Sequence, residues 1–467
     1  MTTVILGGGL SGLSTAYYLT KKLASNPITL IESSHRLGGW IKSNHSKDII
    51  FEEGPRTIRP HGDAAPNTLS LIEDLGLSDA VIPINSSHPA AKNRMIFVKD
   101  QLHSLPSSIK GLFKTQMPFS KPLILQLMKD ITTPRKVIED ESIYDFVNRR
   151  FGKEVADYLI SAMICGICAG NSKEISVNFL MKTLFRYEQD YGSISKGLIW
   201  NFFKKIKKPE IGSLSMKARQ EKWSVYSLEN GLEMLPKALH DNIKNKVSIE
   251  TSTKCTDIEI FPELNNVILH LQNGKNISGS HVISCIPSEQ LGILLQKQHP
   301  VLSDLLLQIK SATVAVVNVH FDKKLISREG FGFLVPPGEK LPILGVTYDS
   351  CIFPRGENTV LTVMMGGAWF EELFGKNPEK DFLLKIALDQ LKKTLNISEK
   401  PVQSNVSILE KCIPQYVVGH SEKIEKINNY INKNKLPLSL CGASYYGVGI
   451  NDVILSSKNA VDRLLKI

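Results

Sequence analysis

Val4-Ile5-Leu6-Gly7-Gly8-Gly9-Leu10-Ser11-Gly12-Leu13 carries the reading that decides the fold. Val4, Ile5 and Leu6 are a short aliphatic run of the kind buried in a parallel strand, and Leu10, Leu13, Tyr17 and Thr20 then recur on one helical face. A strand, a glycine turn and a helix follow in that order. Gly7, Gly9 and Gly12 have G-x-G-x-x-G spacing, which allows a tight bend, close approach of backbone to a pyrophosphate, and close packing of helix on strand. The helix start then offers unpaired N–H groups to an anion.

Working outward, residues 28–31 are a second apolar run ending at Glu32, about twenty residues beyond the last glycine, where a carboxylate accepts both hydroxyls of an adenosine ribose. An acidic residue there disfavours a 2′-phosphate. Just past it stand Arg36-Leu37-Gly38-Gly39-Trp40. The glycine pair is either a surface turn or a second close approach of backbone along the far half of an extended cofactor, which favours FAD over NAD.

At 467 residues the chain exceeds one typical domain, so two or three units are expected. Its formal charge of +10 favours an anionic partner: an acidic substrate, anionic lipid or nucleic acid. No nucleic-acid module or spaced aromatic platform is recognisable, so nucleic acid is not expected. Seven cysteines, an odd number, do not make a disulfide framework. The lone Cys165-Gly-Ile-Cys168 lacks the second pair or nearby histidines that a structural zinc needs, so buried thiols and no metal are expected. No run of about 18 apolar residues occurs, so a spanning helix is not expected. Met1-Thr2-Thr3 leads straight into the strand, and neither a signal peptide nor an arginine-rich presequence is expected.

Further along, Glu53-Gly54-Pro55-Arg56-Thr57 is a turn that either approaches the flavin end of the cofactor or forms a rigid surface corner. Residues 67–77 read as a short amphipathic helix closed by Gly76, and residues 106–200 have helical spacing throughout. Within them Lys110, Lys114, Lys121 and Lys129 interleave with Leu112, Phe113, Met117, Phe119 and an apolar run at 123–128. That composition suits an interfacial segment, or a core-facing helix with solvated lysines. Lys196, Lys204, Lys205, Lys207, Lys208, Lys217, Arg219 and Lys222 outnumber Glu210 and Glu221 in what reads as a flexible basic loop.

The run at 281–287 suits re-entry into the nucleotide-binding sheet, whereas 313–321, 332–335, 343–348 and 359–365 suit a large antiparallel sheet under a helix at 381–395. A buried strand at 438–443 precedes Gly447-Val448-Gly449-Ile450-Asn451-Asp452 and a last helix. That turn is either left-handed turn chemistry or a positive helix end aimed at the pyrimidine side of a flavin.

Together these segments resemble the protoporphyrinogen oxidase family in its oxygen-dependent eukaryotic form, within the amine oxidase and desaturase flavoproteins. Matching stretches run the length of the chain: GGGLSGL at Gly7, ESSHRLGGWI at Glu32, GPRTIRP at Gly54, HPAAKNR at His88, AGNS at Ala169, HVISCIP at His281, GFGFLVP at Gly330, CIPQYVVGH at Cys412 and GASYYGVGIND at Gly442. The resemblance implies an α/β and α+β fold in three parts. These are a discontinuous Rossmann-like FAD-binding domain (1–88, 225–290, 432–467), a mixed β-sheet substrate-binding domain (89–105, 201–224, 291–431) and a helical membrane-binding domain (106–200).

The same resemblance puts FAD contacts at Gly7, Gly8, Gly9, Leu10, Ser11, Gly12, Glu32, Arg36, Gly39, Trp40, Gly54, Pro55, Arg56, Thr57, Cys255, Ala443, Val448, Gly449 and Ile450. Substrate contacts fall on Arg94, Gly166, Ile167, Phe331, Gly332, Leu334, Thr347 and Met364, with no catalytic side chain because the flavin performs the chemistry. The implied reaction is the six-electron oxidation of protoporphyrinogen IX to protoporphyrin IX, with O2 as acceptor and hydrogen peroxide as product, the penultimate step of haem synthesis. Its rivals are coproporphyrinogen III oxidation, an amine oxidase or desaturase on the same scaffold, and a flavin-free GDI-like binding module. Arg94 in a basic chain speaks against an amine substrate. The family further implies a peripheral place on anionic lipid at the mitochondrial inner membrane, intermembrane-space side, with a homodimer and ferrochelatase as candidate partners.

Overall fold

The protein is described by a computed structural model over residues 2–23, 26–46, 49–106, 109–203 and 212–466. It forms two compact units, each assembled from separated stretches of chain. The first comprises Met1–Pro83, Ile211–Lys310 and Glu422–Ile467, the second Ile84–Glu210 and Ser311–Ser421.

The first unit is built on a five-stranded parallel sheet in the order Leu438–Leu440, His281–Ser284, Thr3–Leu6, Ile28–Ile31, Ser248–Glu250. Its central strand is buried at every residue, as expected where both faces of a parallel sheet are covered. Alternation divides its side chains. Ile5 joins Leu13, Leu235 and Ile454 from the helices Leu10–Lys22, Met234–Ile243 and Ile450–Leu465. Val4 and Leu6 turn the other way, into a core shared with the antiparallel strands Cys255–Phe261 and Asn266–Leu271.

Leu291, Leu302 and Ile427 complete that second core. The helices Ser288–Leu295, Pro300–Leu307 and His420–Lys433 that carry them were expected with the substrate sheet. Their apolar faces instead find partners on Ile258 and Val267, and this sets the boundary.

The second unit holds a seven-stranded sheet in the order Gln403–Pro414, Ser311–Phe321, Thr359–Gly367, Ile343–Thr347, Gly332–Leu334, Arg94–Val98, Gln101–Ser104. It is mixed rather than wholly antiparallel, because Gly332–Leu334 runs parallel to Arg94–Val98. One face (Phe97, Phe333, Val346, Val363) is buried with Leu383, Ala387 and Leu391 of helix Lys380–Leu395. The other meets helix Ser161–Cys168. The helices between residues 109 and 203 belong to this unit and do not make a third one.

Arg150 organises those helices. It is fully buried on Ile143–Phe151, a helix begun by the Ser142 hydroxyl, which accepts the Asp145 N–H at 3.0 Å. Its Nε meets Asp130 Oδ1 at 2.6 Å, and its other nitrogens donate to Thr133 O at 2.9 Å and Gly192 O at 2.8 Å. Asp130, equally buried, also accepts the Ser193 hydroxyl at 2.8 Å and the Ser195 N–H at 2.7 Å.

Drawing Asp130 inward turns its helix, Leu123–Thr132, inside out. Asp130 is its one buried residue, while Leu125, Met128 and Ile131 are 45%, 58% and 40% exposed. Leu123, Ile124 and Leu127 of the same helix are half-buried, so its apolar residues divide between packing and exposure. Leu198, Ile199 and Trp200 on helix Ile194–Phe203 are exposed too. The flexible loop expected over 196–222 is helical at both described ends, Ile194–Phe203 and Ser213–Gln220. The second helix begins where the Glu73 carboxylate accepts the Leu214 N–H at 2.7 Å. Lys204, Lys205, Lys207, Lys208 and Glu210 lie outside the described residues. No helix among the described residues is long and apolar enough to cross a membrane.

Candidate functional site

The nucleotide cradle is assembled from three backbone approaches that exclude side chains. Gly7 bends the chain at φ +107°, and a Cβ on Gly12 would lie 1.8 Å from the Gly7 carbonyl oxygen. Gly9 bridges to Gly38, a Cβ on Gly39, at φ +58°, would meet Gly9 Cα at 3.1 Å, and Gly38 N donates to Gly8 O at 2.9 Å. The second glycine pair is thus part of the cradle and not a surface turn. A Cβ on Gly54 would lie 2.0 Å from the Trp40 carbonyl oxygen, which brings the 54–57 turn onto the same loop.

Helix Leu10–Lys22 has no side-chain cap and no acid in its first turn, so its leading N–H groups are open to an anion. Glu32 closes the far side. One carboxylate oxygen accepts the Gly8 N–H at 2.7 Å and the other the Ser34 N–H at 2.7 Å, which fixes the group while leaving lone pairs for ribose hydroxyls. These residues fit an adenine dinucleotide, and the extended glycine approach fits FAD.

The remaining expected contacts group around this cradle with three refinements. Arg36 spends its guanidinium on Gly39 O at 2.6 Å, Ile41 O at 2.7 Å and Glu233, so it braces the Gly38-Gly39 turn. Cys255 is buried and donates its thiol to Asp257 O. The turn from Ala443 through Val448 to Gly449 and Ile450 does start a helix, but Asp452 stands in its first turn, and a Cβ on Gly447 would lie 2.4 Å from the Asp452 side chain. That helix end therefore carries a carboxylate of its own beside its leading N–H groups. Leu10, Ser11 and Gly12 are buried, Pro55, Arg56 and Thr57 half-buried, and Trp40 44% exposed.

Sequence reasoning missed the supports. Buried Glu52 accepts the Leu232 N–H at 2.7 Å and the Ser43 hydroxyl at 2.8 Å, and Ser43 Oγ accepts the Glu233 N–H at 3.1 Å. Nothing in the local pattern pairs residues so far apart.

In the second unit the sheet register collects most of the expected substrate residues. Gly332 pairs with both Arg94 and Thr347, Leu334 with Gly345, and Gly345 with Met364. Since paired residues share a face, Arg94, Gly332, Leu334, Thr347 and Met364 line one side of the sheet. Gly166 rides directly over it: a Cβ there would meet Leu334 Cδ2 at 2.7 Å. Ile167 beside it is 37% exposed, Arg94 is exposed, and Phe331, at the mouth of its strand, is half-buried with its N–H on Asn93 O at 3.1 Å. Gly332, at φ +130°, has no room for a Cβ, which would lie 2.0 Å from Val346 O. Cys165 and Cys168 are buried beneath this face, and burial pushes both thiols up to about 12.

Residues 10–465 match the family described as flavin containing amine oxidoreductase. The chain is 39% identical to the protoporphyrinogen oxidase of Bos taurus, with 99% of this chain and 98% of that one covered. It is 27% identical to the coproporphyrinogen III oxidase of Bacillus subtilis, over 99% and 97%. A crystal structure from Exiguobacterium sp. 255-15 superposes with a TM-score of 0.82 at 24% identity, covering 100% of this chain and 99% of that one, which speaks for the fold. With the glycine cradle and Glu32 in place, this chain belongs to the flavin-containing amine oxidoreductases, in their protoporphyrinogen oxidase branch, and its cofactor is FAD.

Proposed function

We propose that this chain oxidises protoporphyrinogen IX to protoporphyrin IX, with oxygen as the final acceptor and hydrogen peroxide as product. The observation that supports it best is the single sheet face on which Arg94, Leu334, Thr347 and Met364 are gathered under Gly166 and Ile167. When bound, FAD accepts hydride from the substrate. The protein's part is to hold a large apolar ring and exclude water. Leu334, Met364 and Ile167 offer apolar contact, and Gly166 and Gly332 let the neighbouring helix and strand approach this face closely. Arg94, the cation on this face, supplies a charge-assisted bond to a propionate.

Anaerobic mixing with protoporphyrinogen IX is expected to bleach the flavin absorption in the blue, and admitting air to restore it. A flavin that stays oxidised in that mixture would end the proposal. Faster bleaching by coproporphyrinogen III would reassign the substrate.

Arg94→Ala is expected to raise KM by about tenfold or more while kcat changes less than about threefold, because a propionate is held alike in ground and transition states. An unchanged KM would remove Arg94 from the anchoring role.

The proposal includes a peripheral seat on anionic lipid, at the intermembrane-space side of the mitochondrial inner membrane. It is supported by the outward apolar stripe Leu125, Met128 and Ile131, with exposed Lys114, Lys121 and Lys129 around it. The protein is expected to float with vesicles rich in acidic phospholipid. Combined reversal to Glu at Lys110, Lys114 and Lys121 is expected to lower partitioning by roughly a hundredfold or more, at about 1 kcal/mol per charge. Flotation indifferent to those changes would argue against lipid contact by this segment.

A further inference from the structure

We infer that Cys285 and Cys441 form a reversible dithiol–disulfide couple beneath the nucleotide-binding turn, oxidised by hydrogen peroxide. The two residues follow directly on the paired strand ends Ser284 and Leu440, so neighbouring parallel strands present them side by side. Their sulfurs are 3.2 Å apart, and both are free thiols. Adjacent strand partners lie within the Cα separation that a disulfide spans, so closing the bond from this distance to about 2.05 Å needs little backbone movement.

The surroundings favour an attacking thiolate. Cys441 is 1% exposed, yet its sulfur has Ser11 Oγ at 3.3 Å and Thr15 Oγ1 at 3.5 Å, at the start of helix Leu10–Lys22. The hydrogen bond with Cys285 holds the Cys441 thiol below the usual thiol range against the opposing effect of burial, with the Ser11 hydroxyl assisting. Burial, and then Cys441, push Cys285 well above the usual thiol range. Two sulfurs 3.2 Å apart that share one hydrogen bond let one act as thiolate while the other keeps a proton, the division of labour between an attacking and a resolving cysteine. Cys285 is partly exposed and gives a small oxidant a way in. Cys165 and Cys168, by contrast, are both buried with raised pKa values.

In the first step the Cys441 thiolate attacks one oxygen of hydrogen peroxide. The O–O bond breaks, and the departing hydroxide takes up a proton as water, leaving a sulfenic acid on Cys441. In the second, Cys285 sulfur attacks the sulfenic sulfur. The S–S bond forms, the S–O bond breaks, and the hydroxyl leaves as a second water with the Cys285 proton. Two thiols and one peroxide become one disulfide and two waters. The bridge would join strands whose cysteines are 156 positions apart in sequence, directly under Gly7, whose Cβ would lie 3.2 Å from the Cys285 carbonyl carbon.

The test treats FAD-loaded protein with low equivalents of added hydrogen peroxide, counts free thiols after denaturation, and maps peptides without reduction. Titratable thiols are expected to fall from the seven of the reduced chain to five and return with dithiothreitol. A Cys285–Cys441 peptide should appear, with a rise in the urea midpoint that the reductant reverses. In C285S the bridge should be absent and dimedone should label Cys441; in C441S neither bridge nor label should form at this pair. Seven thiols surviving peroxide, a Cys165–Cys168 bridge instead, or Cys441 passing to sulfinic acid without a cross-link would overturn the inference. Because the peroxide is added, failure of the proposed porphyrinogen oxidation leaves this result unaffected.

Discussion

Gly12→Ala is expected to purify without flavin, with its FAD affinity lowered at least a hundredfold. The added Cβ would lie 1.8 Å from the Gly7 carbonyl oxygen and 2.9 Å from its carbon, and both are backbone atoms that no rotamer change can move aside. The turn must open or the helix must slide, and either displaces the N–H groups meant for the pyrophosphate. Losing two charge-assisted hydrogen bonds of about 1.5–3 kcal/mol each accounts for that loss of affinity. Gly338→Ala is the control, since nothing lies within 4 Å of the position and its backbone is unstrained. The check is the ratio of flavin to protein absorbance after gel filtration. Stoichiometric yellow Gly12→Ala would mean that the cradle is not where the cofactor lies.

Asp130→Ala is expected to destabilise the second unit by about 3–5 kcal/mol, because it strands the Arg150 guanidinium in the interior. Both side chains are fully buried, and Glu188, the other carboxylate beside Arg150 at 3.4 Å, is already engaged by Arg149 at 2.5 Å. Adding Arg150→Met should recover a large part of the loss, since removing both charges also removes their desolvation cost. Urea unfolding of the parent, the single and the double variant checks this, and a single variant as stable as the parent would show the pair to be dispensable.

Burial by itself would push the Asp130 carboxyl upward; the hydrogen bonds from Ser195 and Ser193, with the Arg150 charge, outweigh it and hold the group below the usual carboxylate range. A depressed folded value means that its contribution is complete above the unfolded value of 3.8 and fades only as pH falls through the folded one. Stability between about pH 5 and 8 is therefore insensitive to this group.

The contrast between Gly12 and Asp130 shows what was legible in the sequence. The cradle could be read because its demands are local. A bend at Gly7, a helix at Leu10 and an acid at Glu32 are each announced by residue type at short spacing. The Arg150 knot draws on three separate helical segments, and its members look like any solvated acids and bases in sequence. The mixed sheet was implied by the family resemblance, and the strand runs alone suggested an antiparallel one. Strand-like runs near 313 and 359 were visible, but the parallel pairing that sets Arg94 beside Gly332 depends on register between distant segments. The outward stripe of helix Leu123–Thr132 was half-legible: its amphipathicity was plain, but the buried Asp130 that decides which side faces out was not.

The parallel sheet also has a consequence for how the protein is made. Thr3–Leu6 emerges first from the ribosome, but its neighbour His281–Ser284 and the edge strand Leu438–Leu440 follow only late in translation. At roughly 5–20 residues per second, tens of seconds pass before that sheet can close. During that interval the pair Thr3–Leu6 and Ile28–Ile31 lacks its late neighbours, and chaperones and FAD compete for the nascent chain. Expression should therefore depend on flavin supply and on chaperone capacity more than on codon choice at the amino-terminal end.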